Sequence, residues 1–407
     1  MKSILKNRPN NLRAAVCVLL GMCCAAIAAD EPPTDWLKVP RPKDVEPPGN
    51  VAVGKSIERG VYFLVERQNK DGSWGSPRQT KGLNIYAPTF QSHYAFQLGV
   101  TALSVSALLE AGGEHPRTTK AVEQGELYLM EHLPKLRRDT ADCMYNVWAH
   151  GYGIQALLRL RVLRPEDAAR RKRIDALIRD QFDRLTRYES VDGGWGYYDF
   201  RVGTQKPASS SISFVNGTVL VAFHEAKLAG IEPPEKLVRR SLAATERQRL
   251  PDGSYLYGEY LKMQPARDIN RPAGSLGRAQ VCNLALRLWG DKRITDAVMI
   301  AWLDRLFARN EWLGMGRKRP IPHESWFAIA GYFYYYGHYY AAHCIAMLPE
   351  PDRARLQDHL ATTLMKLQEK DGSWWDFPLY DYHQQYGTAL TVMALQRCLR
   401  KEPAPKP

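Results

Sequence analysis

The phrase Gln68-Asn-Lys-Asp-Gly-Ser-Trp74 returns near the other end of the chain as Gln368-Glu-Lys-Asp-Gly-Ser-Trp374. Each copy follows an apolar helical stretch and precedes a second helix rich in small residues. These second helices read Gly99-Val-Thr-Ala-Leu-Ser-Val-Ser-Ala-Leu-Leu109 and Tyr386-Gly-Thr-Ala-Leu-Thr-Val-Met-Ala-Leu395. Glu189-Ser-Val-Asp-Gly-Gly-Trp195, before Asn216-Gly-Thr-Val-Leu220, is a third copy, and Leu250-Pro-Asp-Gly-Ser-Tyr255 is a fourth with Tyr in the Trp place. A recurring helix–turn–helix phrase confines the chain to a repeat architecture. Asp-Gly supplies a tight turn because glycine tolerates positive φ. The Trp beyond it offers a flat apolar surface that clips the turn onto neighbouring helices. One helix pair cannot bury its own apolar face, so the pairs must stack.

The helical text comes in two kinds. Lys55–Arg67, Arg170–Tyr188, Glu235–Arg249 and Arg353–Leu367 are charged and amphipathic, as a solvent-facing layer requires. Val100–Leu109, Thr218–Ala229, Arg278–Leu288 and Tyr386–Leu399 are rich in Ala, Gly, Thr and apolar residues, as a crowded inner layer requires. Pairs fall at 51–113, 114–164, 165–230, 231–290, 291–348 and 349–400. Two of them lack the Gly-x-Trp turn, having Leu136-Arg-Arg-Asp-Thr-Ala-Asp-Cys143 and Trp312-Leu-Gly-Met-Gly316 instead. No stretch alternates as a strand would. The expectation is an all-α fold, an (α/α)6 toroid of six helical hairpins closed into a double ring.

The ends differ from this body. Residues 1–28 read as a secretory signal: Lys2, Lys6, Arg8 and Arg13, the apolar run Ala14–Leu20, and a cleavage site at Ala26-Ile-Ala28. The apolar run is too short for a membrane anchor, so export to the periplasm or medium is expected, with no transmembrane helix in the mature chain. Residues 29–50 are a Pro-rich linker, 51–400 the toroid domain and 401–407 a tail. The formal charge of the whole chain is +13. Losing the signal leaves about +9, an excess that suits acidic surfaces or glycans without naming one. No nucleic-acid reading motif is present. Cys143, Cys282, Cys344 and Cys398 are widely spaced and read as buried small hydrophobes rather than a disulfide framework.

Gln-x-x-x-Gly-x-Trp followed by Gly-Thr-Ala-Leu resembles the repeat shared by squalene–hopene cyclases and protein prenyltransferase β-subunits. The copies at Gln68/Gly72/Trp74 and Gln368/Gly372/Trp374 match fully, and the third has Glu189 in the Gln place. The resemblance covers nearly all of the mature chain and implies a toroid around a central apolar cavity. The cyclases use an Asp-x-Asp-Asp-Thr-Ala segment whose Asp protonates a polyene. Here only Asp139-Thr140-Ala141 matches; Leu136, Arg137 and Arg138 precede it, so the residue expected to be the proton donor is missing. The cyclases also carry two helical barrels, and this chain has length for one. The β-subunits hold zinc with an Asp, a Cys and a later His. Asp142-Cys143 and Tyr382-His383 are similar in part, but here Asp and Cys are adjacent rather than spaced.

In a toroid the inner helices start at one mouth of the cavity, which gathers the residues preceding each inner block. The candidate catalytic residues are therefore His93, Asp139, Asp142, Tyr145, Tyr382 and His383, a set of carboxylates, imidazoles and phenols able to do acid–base work. Each of these also fits helix capping or loop hydrogen bonding, Asp139 above all. No cofactor is called for; zinc, if held, would draw on Asp142, Cys143, His93 and His383, which have no tight ligand spacing. The aromatic run from Trp326 to Tyr340 places Tyr332, Tyr335, Tyr336 and Tyr339 at three- and four-residue spacings. With Trp148 these are the candidate ligand-binding residues, since electron-rich ring faces suit a sugar, a cation or a polyene; packing between the rings accounts for them as well. Three readings of function remain open: a protein binding an apolar or isoprenoid-like ligand, a lyase or hydrolase of an acidic polysaccharide, and a non-catalytic scaffold. An apolar aromatic shaft, an open cleft with paired carboxylates and a filled centre would distinguish them in turn.

Overall fold

The computed structural model describes residues 34–82, 85–113, 115–199, 207, 211–265, 267–323 and 329–400. Residues 1–28, expected from sequence to be a signal, the tail 401–407 and Trp326 lie outside them. The chain divides into two compact units, Met1–Lys38 and Val39–Pro407. In the first, Thr34–Leu37 forms a 3-10 turn, with Lys38 Nζ 2.8 Å from Asp35 Oδ1.

Among its described residues the second unit holds twelve long helices in six pairs. The first three pairs are α1 (Asn50–Glu66) with α2 (Phe90–Ala111), α3 (Pro116–His132) with α4 (Asn146–Leu163), and α5 (Ala168–Arg187) with α6 (Ser213–Leu228). The others are α7 (Glu235–Arg247) with α8 (Pro272–Leu288), α9 (Asp296–Ala308) with α10 (Phe333–Ala346), and α11 (Asp352–Met365) with α12 (His383–Gln396). Among the described residues there is no β-strand. The even-numbered helices pack each on the next, and α12 packs back on α2, which closes the inner ring. Asn50 locks the closure: its side chain donates to the Arg400 carbonyl at 2.9 Å and accepts from the Arg400 amide at 3.0 Å.

Burial follows the two kinds of helix. In α5 only one stripe is covered, including Ile174, Leu177, Ile178, Phe182 and Leu185. Helix α6 is covered on all sides from Ser213 to Phe223. Inner helices must therefore approach closely, and α8 meets α10 at Gly277 and Gly337, where a Cβ on either glycine would overlap the opposing backbone. Helix α2 is long and apolar enough to cross a membrane by composition alone, but it lies mostly buried in this ring.

The repeated phrase builds one device three times. Gly72, Gly193 and Gly372 take positive φ of 88°, 96° and 89°. A Cβ there would collide with a carbonyl of the next outer helix, at Gln124, Arg240 and Arg59 respectively. Trp74, Trp195 and Trp374 are fully buried, and their indole N–H groups donate to the carbonyls of Leu64, Leu185 and Leu364 at 2.7, 2.8 and 2.8 Å. Their amides donate to Thr101 Oγ1, Asn216 Oδ1 and Thr388 Oγ1 at 3.0, 2.7 and 3.0 Å. The Thr of the small-residue block is thus the acceptor that fixes the turn, and in the third copy Asn216 takes that place. Gln368 ties its own turn to the first outer helix, donating to the carbonyls of Gly372 and Ser56 at 2.9 Å each. Where Glu189 replaces the Gln, it accepts from Arg240 Nε at 2.6 Å and makes the same link by an ion pair. Tyr255 departs from the pattern, since its hydroxyl donates to Asn283 on its own inner helix at 2.8 Å.

At the C-terminal ends of the inner helices a charged cluster fills the ring. Arg159 on α4 reaches Glu110 on α2 at 2.7 Å and Glu225 on α6 at 3.2 Å, and Arg397 after α12 reaches Glu110 at 2.6 Å. Burial pushes the Glu110 carboxyl up, but the Arg159 and Arg397 guanidiniums outweigh it and hold the group ionised below its usual range.

Candidate functional site

With that end occupied by ion pairs, open space remains between the N-terminal halves of the inner helices. A cavity of about 860 Å³, counting the part open to solvent, is lined there by Phe96, Val100, Tyr145, Trp148, Tyr152, Phe214, Phe333, Tyr336 and Tyr386. Ile85, Asp376, Phe377 and Leu379 complete it from the loops preceding α2 and α12. The rings brace one another: Trp148 stacks on Phe214 at 5.8 Å and on Tyr152 at 5.9 Å, and meets Tyr336 edge-on at 6.2 Å. Tyr336 is pinned by its hydroxyl, which donates to the Phe214 carbonyl at 2.9 Å and meets Thr218 Oγ1 at 2.8 Å. The polar tips of Tyr336 and Tyr145 are thus held by protein groups, which leaves their ring faces to the cavity.

Asp376 is the one acid among the described lining residues, and it is 1% exposed. The repeat turn positions it: Trp374 is sunk between helices, and Asp376 then reaches the start of α10, where its Oδ2 accepts from the Tyr335 amide at 3.0 Å. Burial pushes its carboxyl up to about 7, although the Tyr335 N–H and the Arg317 charge pull the other way. A buried carboxyl group whose affinity for its proton is raised in this way can act as an acid beside the aromatic rings.

Around the rim the phenols form chains. Tyr145 donates to the Tyr86 carbonyl at 2.6 Å and is hydrogen-bonded to Tyr198. Tyr197 is hydrogen-bonded to Tyr257, which stands 3.4 Å from the Tyr332 hydroxyl; that hydroxyl meets His323 Nε2 at 2.9 Å.

The residues singled out from sequence divide between wall and surroundings. Tyr145, Trp148, Tyr332 and Tyr336 lie on the cavity wall, while Tyr335 and Tyr339 do not. The α-helix begins at Phe333 and the cavity reaches only its first turns. Tyr335 therefore gives its amide to Asp376 and packs on Tyr334, and Tyr339 sits deeper, against Tyr340 and His343. Asp142 lies off the cavity wall, in a local turn that Thr140 closes by donating to its carboxylate. Asp139 is also off the wall; its carboxyl oxygens are shielded from solvent, and burial pushes it up to about 6 against the pull of Ser92 and the Tyr145 amide. The N-cap of α4 is Tyr145 and no side chain caps it, so the capping role open to Asp139 from sequence is not filled.

His93 and His383 do come to the same end of the ring, on either side of Tyr380. The Tyr380 ring meets His93 at 4.6 Å, and its carbonyl accepts from His383 Nδ1 at 2.6 Å. Tyr382 donates to the His93 carbonyl at 3.2 Å. None of the three lines the cavity. Cys143 is buried, its thiol pushed up to about 11 by burial. Among the described residues no three His, Cys, Asp or Glu side chains gather as a metal centre, so the set of Asp142, Cys143, His93 and His383 is not assembled.

Asp376 and Tyr386 escaped the reading from sequence. The available signal was the register of the turn, since Asp376 stands two residues past the buried Trp and Tyr386 directly before Gly387-Thr388.

No family model matches the chain. Among curated proteins it is similar to the squalene–hopene cyclase of Alicyclobacillus acidocaldarius subsp. acidocaldarius, at 26% identity over 266 residues. That match takes in 49% of this chain and 40% of the cyclase, so the chain matches less than half the length of its curated relative. Among solved structures, the α-1,6-mannanase of Salegentibacter sp. HEL1_6 aligns at a TM-score of 0.51 and 11% identity, over 85% of this chain and 98% of that one. A variant unsaturated glucuronyl hydrolase from Streptococcus agalactiae aligns at 0.50 and 12%, over 88% and 93%. A type II terpene cyclase from Scytonema, solved with geranylgeranyl dihydroxybenzoate, aligns at 0.49 and 14%, over 86% and 98%. The chain thus resembles the squalene–hopene cyclase superfamily in sequence, and the α/α toroid is its fold.

Proposed function

We propose that the protein takes an apolar, isoprenoid-like ligand into the central cavity and that Asp376 serves there as a proton donor. The observation that carries this reading is the lining: aromatic faces on all sides and one acid. Apolar surface entering such a space gains burial energy in proportion to the area that the rings cover. When Asp376 protonates a terminal double bond, its O–H bond breaks, a C–H bond forms and a carbocation remains. The faces of Trp148, Phe214, Phe333 and Tyr336 stabilise that positive charge through their ring quadrupoles. Loss of a proton further along the chain gives a neutral isomer of the substrate, and the carboxylate regains its proton. In the cyclases that this chain resembles, the donor belongs to a segment whose counterpart here reads Leu136, Arg137 and Arg138 before Asp139. The acid is thus supplied by another loop, next to a repeat turn.

The glycan reading keeps one point in its favour, because aromatic faces also stack on sugar rings. Hydrolysis of a glycosidic bond, however, calls for a pair of carboxyl groups across the scissile bond, and the described lining offers Asp376 alone. We further propose that residues 1–28 direct the protein out of the cytoplasm.

The test is incubation with geranylgeraniol and analysis of the extract by gas chromatography and mass spectrometry. An isomeric cyclic product is expected from the wild-type protein and its absence from Asp376→Asn, with the alcohol bound by both. Conversion by the variant at the wild-type rate would remove Asp376 from the chemistry.

A further inference from the structure

Of the phenols that line the cavity, Tyr332 alone among the described residues has its hydroxyl against an imidazole, with His323 Nε2 2.9 Å away. The His323 ring is half-buried and is held edge-on to Tyr257 at 5.2 Å and to Tyr332 at 6.0 Å. Other wall phenols spend their protons differently: Tyr336 donates to the Phe214 carbonyl at 2.9 Å and Tyr145 to the Tyr86 carbonyl at 2.6 Å. A peptide carbonyl accepts a hydrogen bond but is too weak a base to take the proton, whereas a neutral imidazole takes one at neutral pH. Behind Tyr257 lies the buried guanidinium of Arg278, 5.9 Å from that ring's centroid and hydrogen-bonded to the carbonyls of Tyr255, Gly274 and Ile269. A fixed positive charge on that side favours the neutral, accepting form of His323 at rest.

We infer that Tyr332 and His323 together are the base that ends the reaction, the phenol taking the proton of the last carbocation and passing its own to the imidazole. This inference rests on the protonation by Asp376 proposed above, and the experiment separates the two. In the step, a C–H bond beside the cationic carbon breaks and its electron pair forms the new double bond. The released proton joins the Tyr332 oxygen while the phenol's own proton crosses the 2.9 Å hydrogen bond to His323 Nε2. The phenol ends as it began, and the imidazolium gives its proton to water at the half-buried ring. Asp376 is recharged when the cavity empties, so the sum remains an isomerisation. The rival exit is Asp376 itself. Its carboxylate, however, faces the carbon that it has just protonated, whereas the final cation lies further along the chain.

Geranylgeraniol is incubated with the wild-type protein, Tyr332→Phe and His323→Gln, and the readout is the ratio of isomeric products rather than the rate. Phe keeps a ring in the wall without its oxygen, and Gln keeps an acceptor for the phenol without a basic nitrogen. In both variants the principal wild-type isomer is expected to fall about a hundredfold against isomers formed by other exits. Ratios unmoved in both variants overturn the inference and return the last proton to Asp376. A shift in Tyr332→Phe alone overturns it too, because the phenol then only shapes the cavity. So does a variant that binds the alcohol but forms no isomer, which places that residue before the last step. A wild-type protein that converts nothing overturns the Asp376 reading and this one together, whereas conversion with unmoved ratios overturns this one alone. A second measurement needs no turnover: the His323 nitrogens are followed by NMR in the ligand-free protein at neutral pH, with His323→Gln fixing the assignment. An unprotonated Nε2 is expected, with a resonance that moves in Tyr332→Phe as its donor is lost. A protonated Nε2, or one that Tyr332→Phe leaves unmoved, overturns the pair.

Discussion

The Tyr335 amide donates to Asp376 Oδ2 at 3.0 Å, and this one bond holds a carboxyl group at the wall of an aromatic cavity where water does not reach it. The ring of Tyr335 itself packs on Tyr334, off the cavity wall.

Asp376 should make stability depend on pH in a direction opposite to that of a salt-bridged acid. Its carboxyl titrates near 3.8 when unfolded and near 7 when folded. Between those values the folded state binds more protons, so stability falls as pH rises through that window. Asp376→Asn has no charge to bury. Urea unfolding at pH 4 should find the two proteins equal, and at pH 8 should favour the variant by on the order of 2–4 kcal/mol. A difference that does not change with pH would mean that the carboxyl is not desolvated.

Trp374→Ala removes the clip that joins the last pair to the first, where the indole packs against Gly60 of α1. Loss of a fully buried Trp should lower unfolding free energy by about 3–5 kcal/mol. A urea midpoint within error of the parent would show that the turn holds without it.

Glu110→Gln leaves Arg159 and Arg397 facing each other without the carboxylate between them. Because these groups are largely covered, the expected cost is on the order of 2–3 kcal/mol, with ligand affinity unchanged because the cluster lies at the far end of the ring. Unchanged stability in denaturant would show that the cluster is solvated.

The fold was legible because its rule is local. A turn that needs positive φ at Gly72, Gly193 and Gly372 and a deep slot for the next Trp leaves the same letters wherever it is used. Much of the wall was legible as well: Tyr145, Trp148, Tyr332 and Tyr336 stand where inner helices begin. Asp376 was not, since an acid in a turn looks like any solvated acid until the Trp beside it is known to be sunk. Tyr335 and Tyr339 were misplaced because spacing gives the face of a helix but not the depth at which a cavity ends. Asp142 and His93 stand near helix starts too, yet their neighbours in the turn and the ring occupy them.

Expression with the native N-terminus in a bacterial host should yield a product beginning at Ala29, recovered from the periplasm or medium. N-terminal sequencing of that fraction is the check. A chain that still starts at Met1 in the cytoplasm would exclude the export reading.

Calorimetric titration of geranylgeraniol into the wild-type protein and Trp148→Ala tests the role of the cavity most directly. The expected result is one saturable site per chain, weakened about tenfold by loss of the indole face. No saturable binding of the alcohol, with an acidic oligosaccharide bound in its place, would contradict it.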